Sequence, residues 1–290
     1  MQIATPREGF RALLSQDGCV SPASVHDPVS VRIAEHLEFK LGILAGSVAS
    51  LTVLGAPDII LLTLSEFADQ ARRITRASDL PLLVDADHGY GNALNVMRCV
   101  TELENAQVSA LSIEDTELPV AAGAGGQARL IPIEEGVGKM RAALAARKDP
   151  SLVIAGRTSA AAITNAADAA ERVKAYEATG VDVLFLVGVK TVADLETIAA
   201  ATTLPIILGS AAGPVKEAPV LAANRVKICL QGHQPFAAAT QAIYETMSLL
   251  KAGTPAAELP NLASGELMGT ATRASDYQQW AARYLDGATD

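Results

Sequence analysis

The chain has 290 residues, half of them hydrophobic, and a formal net charge of −9 with a pI near 5.0. This acidic balance argues against a nucleic-acid partner, because phosphate backbones are bound by basic surfaces. No apolar run reaches the roughly 18 residues of a membrane span, and the first residues, with Arg7 and Glu8 among them, do not resemble a secretory signal. We therefore expect a cytoplasmic protein that has neither a nucleic-acid nor a membrane partner.

Two helical patterns open the chain, over residues 8–15 and over residues 28–39, where Pro28 fits the first turn. Short apolar runs that end in Gly, Ser or a charged residue then predict eight strands: 42–47, 59–64, 82–87, 110–115, 152–157, 183–187, 205–210 and 226–231. Segments with apolar residues at three and four spacing predict further helices: 66–77, 93–106, 134–147, 165–179, 192–201 and 236–251.

Continuous apolar strands that alternate with helices predict an α/β fold, with a parallel sheet covered on both faces. Eight such units in about 250 residues favour a closed (β/α)8 TIM-type barrel. An open doubly wound sheet is the alternative, although no Gly-x-Gly-x-x-Gly follows the first strand.

The pattern changes after Lys251, where residues 253–269 are rich in Gly, Pro and Ala and residues 275–285 form a last amphipathic segment with Trp280. We predict a barrel domain over residues 1–252 and a C-terminal extension over residues 253–290. The apolar face of the extension must be buried, either on the barrel or on a neighbouring subunit.

Acidic residues gather at the predicted strand ends. Asp85 and Asp87 end the third strand two residues apart, so both side chains can face one point. Glu114 ends the fourth strand, and Asp58 stands at the start of the predicted second strand. Oxygen donors of this kind indicate Mg²⁺ or Mn²⁺ rather than zinc. The alternative for the Asp-x-Asp pair is two acids in a solvated turn.

Three further strand ends offer groups that could bind a substrate. Arg157 ends the fifth strand and could clamp a carboxylate, or it could form a structural salt bridge with Glu114 or Asp115. Gly46 and Ser47 could place backbone N–H groups and a hydroxyl near a ligand, although such a pair is also ordinary at strand ends.

His233 ends the eighth strand, where the alternatives are substrate contact and a structural role. The glycine-rich run at residues 123–126 lacks the Lys-Ser/Thr of a phosphate loop, and we expect a mobile lid there.

Three segments together resemble the phosphoenolpyruvate mutase/isocitrate lyase superfamily. Residues 85–92 read Asp-Ala-Asp-His-Gly-Tyr-Gly-Asn, residues 112–115 read Ser-Ile-Glu-Asp, and residues 155–158 read Ala-Gly-Arg-Thr. The resemblance extends over roughly residues 10–250. It implies a (β/α)8 barrel that exchanges a helix between subunits, a homotetramer built as a dimer of dimers, and Mg²⁺-dependent chemistry on α-keto acids or enolates.

The resemblance also implies roles for individual residues. Asp85 would bind magnesium, with manganese as the alternative ion. Three further acids would hold the waters of the ion or complete its coordination shell: Asp58, Asp87 and Glu114. Gly46 and Ser47 match the segment that binds the substrate carboxylate, and Arg157 matches the substrate-binding arginine.

Departures from the family pattern narrow the expected reaction. The lyases carry a catalytic cysteine in the lid after strand four, whereas residues 116–120 read Thr-Glu-Leu-Pro-Val. With a histidine at position 233, the chain resembles the oxaloacetate decarboxylase branch of the superfamily. This branch implies a carboxy-lyase that converts an α-keto dicarboxylate, oxaloacetate, to pyruvate and carbon dioxide through a metal-stabilised enolate, with His233 and Arg157 as catalytic residues. The alternatives are a carbon–carbon lyase that acts on methylisocitrate or dimethylmalate, a carbon–phosphorus enzyme, and a non-catalytic dicarboxylate binder.

Overall fold

The computed structural model describes residues 5–120, 122 and 125–285. Eight parallel strands follow one another around a single sheet in the order β1 to β8. The strands are β1 (Ala23–Ser24), β2 (Gly42–Leu44), β3 (Leu82–Asp85), β4 (Ala110–Glu114), β5 (Val153–Thr158), β6 (Val183–Leu186), β7 (Ile206–Leu208) and β8 (Val226–Cys229). Val20, just before β1, donates to Lys227 O at 2.9 Å and accepts from Cys229 N at 3.0 Å, so β8 pairs with the chain that enters β1. This topology confirms the predicted (β/α)8 fold.

The helices between β1 and β8 cover the outside of the sheet, while other helices precede β1 and follow β8. They are α1 (Pro6–Ser15), α2 (Pro28–His36), α3 (Gly46–Leu54), α4 (Leu64–Thr75), α5 (Ala93–Asn105), α6 (Ile133–Ala146), α7 (Ala160–Ile163), α8 (Ala166–Glu177), α9 (Val192–Ala200), α10 (Ala218–Ala223), α11 (Gln234–Lys251), α12 (Gly265–Thr272) and α13 (Ala274–Tyr284), with 3-10 turns at Gly213–Lys216 and Ala256–Glu258. Several helices begin at a side-chain cap, as at Thr63, whose hydroxyl accepts from Glu66 N.

The alternation of side chains along each strand creates two cores. Leu83 in β3 belongs to the core inside the barrel, together with Phe10 from α1, while Leu82 and Val84 face the helices outside. Because side chains alternate along a strand, Asp85 shares the inward direction of Leu83. The apolar pattern of β3 thus directs the first acid of the Asp-x-Asp pair into the barrel mouth.

One predicted strand is wrong, and one strand of the structure has no counterpart among the predictions. Residues 59–64 form no strand. Ile59 and Leu61 are more than half exposed in a loop, and α4 begins at Leu64. The first strand is instead Ala23–Ser24, which is too short to produce an apolar run. The two errors offset each other in the count of eight. The prediction failed because an apolar run can line a cavity rim as well as fill a sheet.

The C-terminal segment packs only in part on its own chain. Ala271 of α12 is buried and accepts a hydrogen bond from Arg32 of α2 at 3.2 Å. In contrast, α11 has no buried residue, although Ile243, Tyr244 and Met247 lie on it. The division of the chain at residue 252 stays a prediction.

Among the described residues, no helix is both long enough and apolar enough to span a bilayer. The cytoplasmic location expected from the sequence stays a prediction.

Candidate active site

A cavity of about 810 Å³ opens at the C-terminal ends of the strands. Seven of the eight site residues predicted from the sequence line it directly, and six of these are Ser47, Asp58, Asp85, Asp87, Glu114 and Arg157. His233 lines it as well, and Gly46 contacts Asp87. The structure therefore brings all of the predicted site residues together, as expected for the catalytic end of a barrel.

Arg157 forms the central ion pairs of the cavity. Its guanidinium donates to Asp85 Oδ2, and its Nη2 atom lies 3.3 Å from Glu114 Oε2. The guanidinium also lies 5.4 Å from the ring centroid of Phe185, within the range of a cation–π contact. Arg157 Nε is buried and has no hydrogen-bond partner within the described residues. The structural salt bridge considered for Arg157 is thus present with Glu114, and one N–H group still lacks an acceptor.

Further hydrogen bonds orient the carboxylates. Ser112 donates to Asp85 Oδ1 at 3.0 Å, and Thr116 donates to Glu114 Oε2 at 2.8 Å. Both donors are buried in or next to β4, and neither was singled out from the sequence. Their sequence signal is weak, because a lone hydroxyl residue beside a strand is common.

The loop after β3 is held in an unusual backbone conformation. Asp87, Gly89, Tyr90 and Gly91 all have positive φ, with Asp87 at 48°. At Gly89, φ is 78° and a Cβ atom would lie 2.4 Å from Val96 Cγ2, so no larger residue fits. The glycines of the Asp-x-Asp-x-Gly-Tyr-Gly signature therefore serve the backbone that presents Asp87.

Asp87 packs directly against the first residue of α3. A Cβ atom at Gly46 would lie 2.7 Å from Asp87 Oδ1 and 2.9 Å from Oδ2. The N-terminus of α3 has no side-chain cap, so its first N–H groups remain available to an anion at the cavity. Gly46 thus provides both room for Asp87 and a helix start that no side chain caps.

The negative charge of the cavity carboxylates exceeds the positive charge beside them. Burial, together with the neighbouring Asp85 carboxylate, raises the pKa of Asp58 and raises that of Asp87 well above its usual range, while Arg157 opposes both shifts. Burial also raises the pKa of Glu114, with Arg157 again opposing. Among the described residues that line the cavity, four carboxylates face one guanidinium, and a divalent cation would relieve the repulsion between them.

The donor chemistry fits a hard cation bound partly through water. Carboxylate oxygens are preferred by Mg²⁺, which usually keeps several waters and uses one or two protein carboxylates. Within residues 5–120, 122 and 125–285, no three His, Cys, Asp or Glu side chains converge closely enough to ligate a metal directly. That arrangement suits one direct ligand with supporting acids better than a cage made only of protein atoms.

The two histidines near the mouth differ in position. His233 precedes α11 and lines the cavity, and its Nδ1 lies 2.9 Å from Ser24 Oγ. Burial lowers its pKa, while Asp85 acts in the opposite direction. His88 is buried away from the cavity lining, and burial together with the Lys139 ammonium lowers its pKa to about 4.

The expected lid lies partly outside the described residues, which include neither residue 121 nor residues 123–124. Its base is described. Thr116 and Leu130 form an antiparallel β-bridge, and Glu117 N donates to Arg129 O at 2.8 Å. Leu118, Pro119 and Val120 form part of the apolar wall of the cavity.

Together, the fold and this cavity define a (β/α)8 barrel with a carboxylate-rich mouth, an arrangement typical of metal-dependent barrel enzymes. The profile of the phosphoenolpyruvate phosphomutase family matches residues 10–251. The chain belongs to this family.

Relatives within and around the family are similar over nearly the whole chain. An oxaloacetate decarboxylase of Rhodopseudomonas palustris is 58% identical over 96% of this chain and 96% of its own. A second oxaloacetate decarboxylase, from Bradyrhizobium diazoefficiens, is 56% identical over 95% of this chain and 96% of its own. Among solved structures, a phosphonopyruvate hydrolase in complex with oxalate and Mg²⁺ has a TM-score of 0.85 and 27% identity, with 97% of this chain and 100% of that chain covered.

Proposed function

We propose that this protein is a magnesium-dependent carboxy-lyase that converts oxaloacetate to pyruvate and carbon dioxide. The observation on which the proposal rests is that His233 shares a cavity with the Asp85–Arg157–Glu114 cluster. The near full-length similarity to proteins named oxaloacetate decarboxylase supports the choice of substrate.

Asp85 would hold the cation directly, with Asp58, Asp87 and Glu114 acting through bound water. When bound, Mg²⁺ or Mn²⁺ would act as a Lewis acid toward the carboxylate and keto oxygens of the substrate. The raised pKa values of the three supporting acids favour this assignment, because a cation would restore their charged forms.

Arg157 and the start of α3 would bind the carboxylates of the substrate. Within the described residues, Arg157 has a buried N–H group without an acceptor, and α3 begins with N–H groups at Gly46 and Ser47 that no side chain caps. Both are suited to anions, the first through its charge and planar fork and the second through the helix dipole.

Decarboxylation also explains why the lid has no cysteine. The reaction begins when the C3–C4 bond breaks and leaves its electron pair on the pyruvate enolate, so no base has to remove a proton first. The apolar wall with Phe185, Val187 and Leu118 surrounds the substrate with groups that do not solvate a charged carboxylate. His233 then contacts the enolate end and steers the return of a proton to C3.

The test is an assay of carbon dioxide release from oxaloacetate with and without added Mg²⁺, on the wild type, two variants of the site and one control variant. We expect Asp85→Asn to lose the activity that Mg²⁺ adds to the wild type. The kcat of His233→Gln should fall about 10²- to 10⁴-fold, the usual contribution of acid–base assistance. His36→Gln, at an exposed position, is the control. No carbon dioxide release by the wild type would refute the proposal.

The same protein preparation separates the alternatives. Turnover of dimethylmalate, methylisocitrate or phosphonopyruvate would indicate a lyase or a carbon–phosphorus enzyme. Calorimetry with oxalate and Mg²⁺ that shows tight binding, without turnover of any of these acids, would indicate a dicarboxylate-binding protein.

We further propose a homo-oligomer, a dimer of dimers in which α11 is exchanged between subunits. The exposed apolar side chains of α11, Ile243, Tyr244 and Met247, form a surface of the kind that usually marks an interface. A groove of about 510 Å³ between α2 and the start of α11, with Val29 and Ile33 among its lining residues, offers an apolar surface for such a helix. Light scattering after gel filtration should give a tetramer for the wild type and a smaller species for Met247→Asp. Thr197→Asp, on the exposed side of α9, is the control, and an unchanged mass for Met247→Asp would contradict the proposal.

A further inference from the structure

The histidine of the cavity is held from the opposite end of the chain. Ser24 Oγ lies 2.9 Å from His233 Nδ1, although the two residues are 209 positions apart. They meet because the barrel closes. The pairing of β8 with the residues that enter β1 puts the ends of the first and last strands side by side.

The hydroxyl of Ser24 and the imidazole of His233 have few other hydrogen-bond partners among the described residues. Ser24 is buried at the end of β1, and within the described part of the chain its side chain makes no hydrogen bond other than the one with His233. The side chain of His233, in turn, makes no capping bond to α11, and Gly232 reaches it with a φ of 91° that favours glycine. The orientation of the imidazole is therefore set by one side-chain bond.

That bond determines which ring nitrogen is available. With Nδ1 engaged, Nε2 is the free nitrogen, and it forms no hydrogen bond with a described residue and is not among the buried atoms that lack a partner. Because His233 lines the cavity, Nε2 is the atom that a substrate can reach.

We infer that Ser24 is a positioning residue, which holds the His233 ring so that Nε2 delivers the proton to C3 of the enolate. The inference rests on the proposed function. In this step, the proton leaves Nε2 of the imidazolium, the π pair of the enolate forms the new C3–H bond, and the C2–O bond becomes a carbonyl. Nε2 is then reprotonated from water.

A hydroxyl is well suited to this task because its oxygen accepts from Nδ1–H in both states of the ring. The proton leaves from Nε2, so Nδ1 keeps its hydrogen in the imidazolium and in the neutral ring that follows. The same contact can therefore anchor the ring before and after proton transfer. A carboxylate in this place would instead favour the charged ring strongly.

The kinetic test compares Ser24→Ala with the wild type in oxaloacetate decarboxylation at saturating Mg²⁺. We expect kcat to fall about tenfold, part of the 10²- to 10⁴-fold that acid–base assistance provides, with less than about twofold change in KM. Ser24→Thr, which retains the hydroxyl, should recover most of the loss. In a His233→Gln background, Ser24→Ala should cost nothing further, because the two residues act as one unit.

Ser109→Ala is the matched control. Ser109 is fully buried just before β4, at the other end of the barrel, and its hydroxyl accepts from Leu82 N at 3.2 Å. It should lower the melting temperature about as much as Ser24→Ala without a change in kcat. An unchanged kcat in Ser24→Ala, or a full additive loss in the double variant, would overturn the inference.

A structural measurement separates this inference from the proposed function. If the wild type releases no carbon dioxide from oxaloacetate, the proposed function fails whatever Ser24 does. Crystal structures of the wild type and of Ser24→Ala then decide the positioning role. A rotated or disordered His233 ring in the variant supports it, and the same ring orientation in both refutes it.

Discussion

Replacement of Gly46 by alanine tests how closely the cavity is fitted around its acids. The backbone at Gly46 does not have positive φ, and alanine is the better helix former by up to about 1 kcal/mol, so α3 itself should tolerate the change. The new methyl group would, however, lie 2.7 Å from Asp87 Oδ1. A loss of function would therefore come from the displaced carboxylate and not from the helix.

The size of the displacement follows from the same contact. To reach an ordinary van der Waals distance of 3.4 Å from 2.7 Å, the Asp87 carboxylate must move by about 0.7 Å. Functional groups generally have to stay within about 0.5 Å of their productive position. Loss of an outer-shell partner typically costs 10- to 100-fold in metal affinity or activity, and we expect a decrease of about that size in both.

The assay combines calorimetric titration of Mg²⁺ with carbon dioxide release from oxaloacetate. Gly138→Ala is the matched control, because Gly138 lies in α6 and a Cβ atom there would meet nothing within 4 Å. We expect the control to bind Mg²⁺ and turn over like the wild type. Should Gly46→Ala keep both its Mg²⁺ affinity and its kcat within about twofold of the wild type, the role assigned to the Asp87 contact would be wrong.

Three further predictions concern stability. Burial and the Lys139 ammonium hold the pKa of His88 at about 4 in the folded state, below the 6.5 of a free imidazole, so its contribution to stability is complete above pH 6.5 and is lost as the pH falls toward 4. Between pH 7 and pH 5, the free energy of unfolding of the metal-free protein, measured with urea, should fall by about 2 kcal/mol more for the wild type than for His88→Asn. Equal decreases would contradict the assignment. Arg7 is buried and donates to Val108 O at 2.9 Å and to Glu104 O at 2.8 Å, so Arg7→Lys should lower the free energy of unfolding by about 2 kcal/mol, whereas Arg98→Lys, at an exposed pair, should change it by less than about 0.5 kcal/mol. Added Mg²⁺ should raise the melting temperature and chelation should reverse the rise, since a ligand that binds only the folded state stabilises it; a melting temperature that does not respond to millimolar Mg²⁺ would count against the metal site.

The strands that the sequence predicted well are those with uninterrupted apolar runs. The apolar run at residues 82–84 predicts a buried strand, and Asp85 at its end could be assigned to the barrel mouth from that pattern. The same holds for Glu114 and Arg157 at the ends of β4 and β5. Asp87 lies in the mouth as well, but it follows β3 in a loop with positive φ, so strand periodicity does not account for its direction.

Loops and short elements gave a different result. Asp58 was placed at the start of a strand, yet it lines the cavity from a loop after α3. The first strand, Ala23–Ser24, was missed because two residues produce no pattern. With it, Ser24 was missed as well, since nothing near it in the sequence indicates that it contacts a histidine.

The sequence by itself thus determined the barrel, its acidic mouth and the arginine and histidine that face it, because continuous apolar runs that alternate with helical patterns locate the strand ends. Only the tertiary structure decided that Arg157 pairs with Asp85, that Gly46 makes room for Asp87, and that the last strand closes beside the first. The physical reason is that each of these contacts joins residues that are distant in the chain and meet only in the folded barrel, so neither partner carries a periodic signal of the other.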